Sequence, residues 1–135
     1  MTNIYLDIDG VLLDGDHPAA GADKFIEYVT TRFPATTYWL SGRCAGDADA
    51  TLAQLQPHFA SDTMSRLTLV KPTRWVLLKT EAIDFDEPFL WLDDVLGAED
   101  EAVLEQHGAI GSFVHVDLFD EPERLHQLVA DFPKP

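Results

Sequence analysis

The run Asn3-Ile4-Tyr5-Leu6-Asp7-Ile8-Asp9-Gly10-Val11-Leu12-Leu13 constrains this chain more than any other stretch. Ile4, Tyr5, Leu6 and Ile8 are β-favouring and mostly apolar, the pattern of a strand buried in a parallel sheet. Asp7 interrupts the run and Asp9 closes it, with Gly10 freeing the backbone to turn. Carboxylates are depleted in strands and rarely fully buried unless paired, so two at the end of a core strand need a chemical reason. Side chains two apart on a strand share a face, which predicts that Asp7 and Asp9 converge on one site. Open α/β sheets bind ligands just outside the carboxyl ends of their strands. A hard cation such as Mg²⁺, held by oxygens, accounts for both residues. A plain Asp-Gly turn explains Asp9 and Gly10 but leaves Asp7 without a role. An EF-hand loop fails, because Val11 and Pro18 stand where oxygen ligands belong.

Strand and helix patterns alternate through the remaining sequence. Residues 20–33 place Phe25, Ile26 and Val29 at helical spacing and stop before Pro34. Residues 36–40 read as a strand that ends on Ser41-Gly42-Arg43. Residues 48–59 read as a helix truncated or kinked by Pro57, 66–70 as a short strand, and 75–83 as a helix. Residues 89–92 form an apolar strand that stops on Asp93-Asp94. A helix over 99–107 with Gly108 as its cap, a strand over 112–116 and a helix over 122–132 complete the chain. The alternation predicts a Rossmann-like α/β three-layer sandwich, with a parallel sheet of about five strands and helices on both faces. At 135 residues, this is a single domain spanning 1–135.

Formal charge is −15, with 24 Asp and Glu against 9 Lys and Arg. Such a surface repels phosphate backbones over a Debye length of ~10 Å, so stable nucleic-acid binding through a basic face is not expected. No segment is long and apolar enough to span a membrane. The first residues read as a strand and lack the features of a signal peptide. Cys44 stands alone, which excludes an internal disulfide and suits a reducing cytoplasm.

Three strands therefore run apolar and stop on chemistry: Asp7 with Asp9, Ser41-Gly42-Arg43, and Asp93-Asp94. In a parallel sheet these ends lie along one edge. Together they offer carboxylates for a divalent cation, a hydroxyl donor and a guanidinium, a set suited to a phosphoryl group. Asp7-Ile8-Asp9-Gly10-Val11-Leu12, then Ser41, Lys79 and Asp93-Asp94, resembles the four ordered motifs of the haloacid dehalogenase superfamily.

The resemblance implies a Mg²⁺-dependent phosphomonoester hydrolase. Asp7 takes the place of the nucleophile that forms an aspartyl-phosphate and ligates the metal. Asp9 takes that of the general acid and base, its backbone carbonyl a further metal ligand. Ser41 and Lys79 hold and neutralise the phosphoryl oxygens, Asp93 binds the metal directly and Asp94 through water. Members that dehalogenate lack the second aspartate, so Asp9 points to phosphate chemistry.

Other readings stay open at this stage. Lys71 competes with Lys79 for the third motif. Arg43 either contacts substrate, with Gly42, or pairs with local acids, and Lys71 or Arg74 is expected to assist substrate binding. His115 and Trp91 read as ordinary strand and core residues. The short segments after Leu13 and Gly42 imply a member without a cap domain, similar to the phosphatase-like domain of some RNA-repair proteins. Either a phosphorylated substrate, small or macromolecular, or the second subunit of a homodimer then covers the site. A phosphotransferase of the same fold and a non-catalytic metal-binding module are the alternatives.

Overall fold

The computed structural model describes residues 1–132, so the last three residues of the expected 1–135 domain lie outside it. In chain order the elements are β1 (Asn3–Leu6), β2 (Leu13–Asp14), β3 (His17–Pro18), α1 (Ala22–Arg32), β4 (Thr37–Trp39), α2 (Ala48–Leu55), α3 (Ser61–Leu67), β5 (Phe89–Asp93), α4 (Ala98–Gln106), β6 (Phe113–His115) and α5 (Arg124–Asp131). Four strands form an all-parallel sheet in the order β4-β1-β5-β6, and β2 pairs antiparallel with β3 in a small hairpin. The chain is thus α/β, with a parallel sheet flanked by helices in a Rossmann-like arrangement.

Alternation along β1 splits the core in two. Ile4 and Leu6 join the larger cluster with Phe25, Ile26 and Val29 of α1, Leu67 of α3, and Leu125 and Leu128 of α5. Tyr5 faces the other way, into a cluster with Phe89, Trp91 and Leu104 of α4. Both faces of the sheet are therefore covered, as the near-continuous apolar strands demand. By the same alternation Asp7 and Asp93 project to the α4 side, in line with Tyr5 and Trp91.

Strand order fixes where a ligand can sit. From β1 the chain crosses to β4 on one side, whereas β5 and β6 build outward on the other. The crevice between β1 and β5 is thus the switch point of the sheet, where open α/β folds bind ligands. Register places Leu6 opposite Leu92, and the Asp7 amide donates to the Leu92 carbonyl at 3.0 Å. Asp7 and Asp93, the next residues of the two strands, flank that crevice.

Two expected elements are absent. Residues 66–70 are not a strand: α3 covers the first two of them, with Thr63 and Leu67 buried one helical turn apart. What remains of the anticipated fifth strand is one bridge, in which Lys71 exchanges backbone bonds with Thr37 and Trp39 beside β4. Nor do residues 75–83 form a helix. Only Lys79–Ala82 makes a single 3-10 turn, because the amides of Val76, Leu77 and Leu78 all donate to the carboxylate of Glu81 rather than to helical carbonyls. Pro57 shortens α2 as expected, leaving a 3-10 turn over Gln56–His58. The final helix begins at Arg124, two residues after Pro122.

Candidate active site

The carboxylates of Asp7, Asp93 and Asp94 each place an oxygen within 4.8 Å of the other two. Asp7 and Asp93 are buried, and Asp94 lies nearer solvent. Lys79 enters from the 3-10 turn, its Nζ 2.7 Å from Asp93 Oδ2 and 3.5 Å from Asp7 Oδ1. Lys79, and not Lys71, is the lysine at this cluster: Lys71 Nζ lies over the Tyr38 ring, 5.8 Å from its centre. Arg74 stands elsewhere, against Gly46 and in a cavity with Tyr38 and Asp84.

Electrostatics at this cluster are strained in one direction. Burial, and then the charge of Asp93, push the Asp7 carboxyl up to about 7, while Lys79 pulls against them. Asp94 is also raised, by burial and by its contact with Asp93. For Lys79, burial works against its charge, yet the attraction of Asp7 and Asp93 outweighs it and raises the ammonium pKa. Three carboxylates against one ammonium leave two formal negative charges. A divalent cation coordinated by oxygens would neutralise that excess, and the three carboxylates could hold one.

Supporting bonds hold the cluster in place. Asp93 accepts from the indole Nε1 of Trp91 at 3.2 Å and from the Val95 amide at 3.2 Å. Asp100, in the first turn of α4, accepts from the amide and hydroxyl of Thr80 at 3.1 and 2.7 Å, which fixes the turn carrying Lys79. His115 of β6 meets the Asp94 carbonyl at 2.9 Å through Nε2. A lone Asp or His carries no sequence signal for such roles, so Asp100 and His115 were not anticipated. Trp91 read only as core, and it is core that also donates.

Gly10 closes the crevice from the other side. Its φ of 82° lies in the left-handed region, and an added Cβ would collide with the Asp94 carboxylate. The turn that requires this is tight: the amides of Val11, Leu12 and Leu13 all donate to the carbonyl of Ile8, at 2.9–3.2 Å. Sequence reasoning placed a turn here correctly, but not the close approach of Asp94.

Asp9 departs from expectation. Because β1 ends at Leu6 and the chain turns at Ile8, the Asp9 carboxylate leaves the face of Asp7 and stays outside the cluster. It forms a two-pronged pair with Arg43, Nε to Oδ2 at 2.7 Å and Nη2 to Oδ1 at 2.8 Å. The Arg43 guanidinium holds the Asp9 carboxyl below its usual range, and Gln54 of α2 steadies the guanidinium through Nη1.

Ser41 is buried just past β4, where Leu40 donates to the Leu6 carbonyl at 2.7 Å, so it stands beside the end of β1. Its hydroxyl accepts from the Arg43 amide at 3.1 Å. Gly42 next to it is exposed, with open space where a side chain would be.

A surface cavity of about 630 Å³ lies between α2 and α3 and contains none of these groups. The cluster opens instead into a cavity of about 250 Å³. No helix among the described residues is long and apolar enough to cross a membrane. Comparisons with protein-family models, with curated proteins and with solved structures give no match.

Proposed function

We propose that the chain is a Mg²⁺-dependent phosphomonoester hydrolase, a capless member of the haloacid dehalogenase superfamily, working through an aspartyl-phosphate on Asp7. The observation that carries this is the meeting of Asp7, Asp93, Asp94 and Lys79 at the switch point of the sheet, with Lys79 Nζ bonded to Asp93 at 2.7 Å. Asp7, Asp93 and Asp94 would hold the cation, which when bound neutralises the carboxylates and the incoming phosphate. An oxygen of Asp7 attacks phosphorus as the ester oxygen departs, and Asp9 supplies the proton that turns it into an alcohol. Asp9 then takes a proton from water as that water attacks phosphorus. The second step restores the Asp7 carboxylate and releases inorganic phosphate.

The pairing of Asp9 with Arg43 opposes the first of these roles, since a carboxylate with both oxygens engaged has no proton to give. Proton donation therefore requires the pair to open. It is part-exposed, Asp9 at 58% and Arg43 at 31%, so water screens the pair and competes for both partners. A phosphate dianion is a strong competing acceptor for a guanidinium. Arg43 in this reading exchanges Asp9 for substrate, so binding and release of the acid are one event.

The direct test is phosphate release, with Mg²⁺, from a panel of nucleotides, sugar phosphates, phosphopeptides, alkyl phosphates and 3′-phosphorylated oligonucleotides. A null result over the whole panel would favour a non-catalytic metal-binding module. Asp9→Asn is expected to lower turnover of alkyl phosphates by about 10²–10⁴-fold, the usual worth of acid–base assistance. The loss should be much smaller for p-nitrophenyl phosphate, whose leaving group departs without a proton. Equal losses on the two esters would remove Asp9 from this role.

The two lysines separate in the same assay. Lys79→Ala leaves the buried carboxylates without their nearby cation and is expected to lower kcat by about 10²-fold or more. Lys71→Ala, at the edge of the sheet over Tyr38, is expected to stay within about twofold of wild type. Loss of kcat in Lys71→Ala with an active Lys79→Ala would transfer the role to Lys71.

A further inference from the structure

We propose that this site takes phosphomonoesters with an apolar alkyl or aryl leaving group in preference to sugar phosphates and nucleotides. The inference rests on the phosphatase reading above and narrows its substrate. In the cavity of about 250 Å³ that holds Asp7, Lys79, Asp93 and Asp94, the remaining wall includes Trp75, Leu77 and Val95. Polar and apolar groups thus line one cavity, the combination by which small-ligand sites join fixation to contact area.

Trp75 is half-buried against the second core cluster, whereas Leu77 and Val95 are held outward. Leu77 is 81% exposed and Val95 66%. One carboxylate, that of Glu81, accepts from three successive amides of the 76–78 segment at 2.8–3.1 Å. The loop that presents Leu77 is thus fixed before anything binds, and binding has less conformational freedom to remove. Beyond Asp94 the border continues: Phe119, 95% exposed, lines an adjoining cavity of about 260 Å³ with Gly10 and Asp94. Isolated exposed apolar side chains are ordinary, whereas several gathered around one carboxylate cluster mark a binding surface.

Charge argues the same way. Asp100 lies in the wall of the first cavity, and Asp14 and Asp117 in that of the second, on a chain of net charge −15. A second phosphate or a carboxylate on the substrate meets like charge there. A neutral hydrocarbon group meets Leu77, Val95 and Trp75 and leaves water.

The test compares kcat/KM of the full chain with Mg²⁺ on n-hexyl phosphate, glycerol 1-phosphate and acetyl phosphate. The first two release unactivated alcohols, so their ratio reports the wall rather than leaving-group chemistry, and acetyl phosphate reports the chemistry alone. The hexyl ester is expected to be preferred by about tenfold or more, the worth of a hydrophobic contact in a pocket. That ratio should fall toward one in Leu77→Ser and Val95→Ser, with melting curves checking that these exposed substitutions leave the fold intact. A ratio near one in the wild-type protein overturns the proposal and leaves the phosphatase reading standing. No phosphate release from any of the three, acetyl phosphate included, overturns both. A dimer in sedimentation that Leu77→Ser dissociates, with the ratio unmoved, assigns the rim to a second copy of the chain and overturns it as well.

Discussion

Asp7→Asn is expected to abolish turnover and phosphoenzyme formation while making the metal-free protein more stable. Removing a nucleophile from a catalytic constellation costs on the order of 10⁶ in kcat, and an amide oxygen does not replace a carboxylate in attacking phosphorus. The stability gain follows from the site's own electrostatics. Burial and the neighbouring Asp93 push the Asp7 carboxyl up to about 7, so at pH 8 the folded state holds a charge it disfavours. Asn is nearly isosteric and neutral, which relieves that cost, less what is lost from the contact with Lys79 at 3.5 Å. A gain on the order of 1–3 kcal/mol at pH 8 in EDTA is expected, read by thermal or urea unfolding. Substantial turnover by Asp7→Asn, or trapping of phosphate on another residue, would remove Asp7 from its place. A destabilised variant would show that the contact with Lys79 outweighs the repulsion.

The second large effect concerns the metal. Excess EDTA should stop turnover, and Mg²⁺ should raise the melting temperature by binding the folded state alone. At a hundredfold excess over Kd the gain is about 2.7 kcal/mol, roughly 10 °C for a chain of this size. That gain should also depend on pH, and its sign is fixed by the direction of the shifts. A carboxyl raised in the folded state keeps a proton that the unfolded chain has lost. In EDTA, stability therefore falls as pH rises from about 4, with the Asp7 contribution complete above about 7. Asp94, also raised, adds to the same trend. Lys79, raised from an already high value, stays charged throughout this window and does not reverse it. Mg²⁺ binds the deprotonated carboxylates and competes with those protons, so the Mg²⁺-induced shift should be larger at pH 8 than at pH 5. Equal melting temperatures at pH 8 with and without Mg²⁺ would remove the cation from this cluster.

The two aspartate pairs were visible in the sequence because carboxylates at the ends of apolar strands have few structural excuses. Strand alternation then carried the fold, since Ile4, Tyr5, Leu6 and Phe89, Trp91 read the same way in one dimension and three. The failures share a cause in local polar competition and short apolar runs. Leu67, Leu69 and Val70 form a short apolar run like that of a strand, yet the burial of Thr63 and Leu67 four residues apart sets a helix against α1. The 75–83 segment has helix-forming residues, but Glu81 takes three of its amides. For Asp9, the period-two rule was applied past the end of the strand, where the turn at Ile8 cancels it. The meeting of Lys79 with Asp93, fourteen residues away, was legible only through the order of the four motifs, and the ties made by Asp100 and His115 have no signature in the sequence.

The tight turn at Gly10 has a bearing on how this site is to be mapped by substitution. Its backbone occupies the volume against which the Asp94 carboxylate rests, so the identity of residue 10 sets where that oxygen stands. A methyl group at this position displaces a carboxylate of the cluster without removing one. Scanning for metal-sensitive positions would therefore return Gly10 beside the three aspartates, although it contributes no coordinating side chain. At the proposed metal site, sensitivity to metal concentration would be a property of shape as much as of ligands, and a variant with every carboxylate intact would behave as one that has lost a carboxylate.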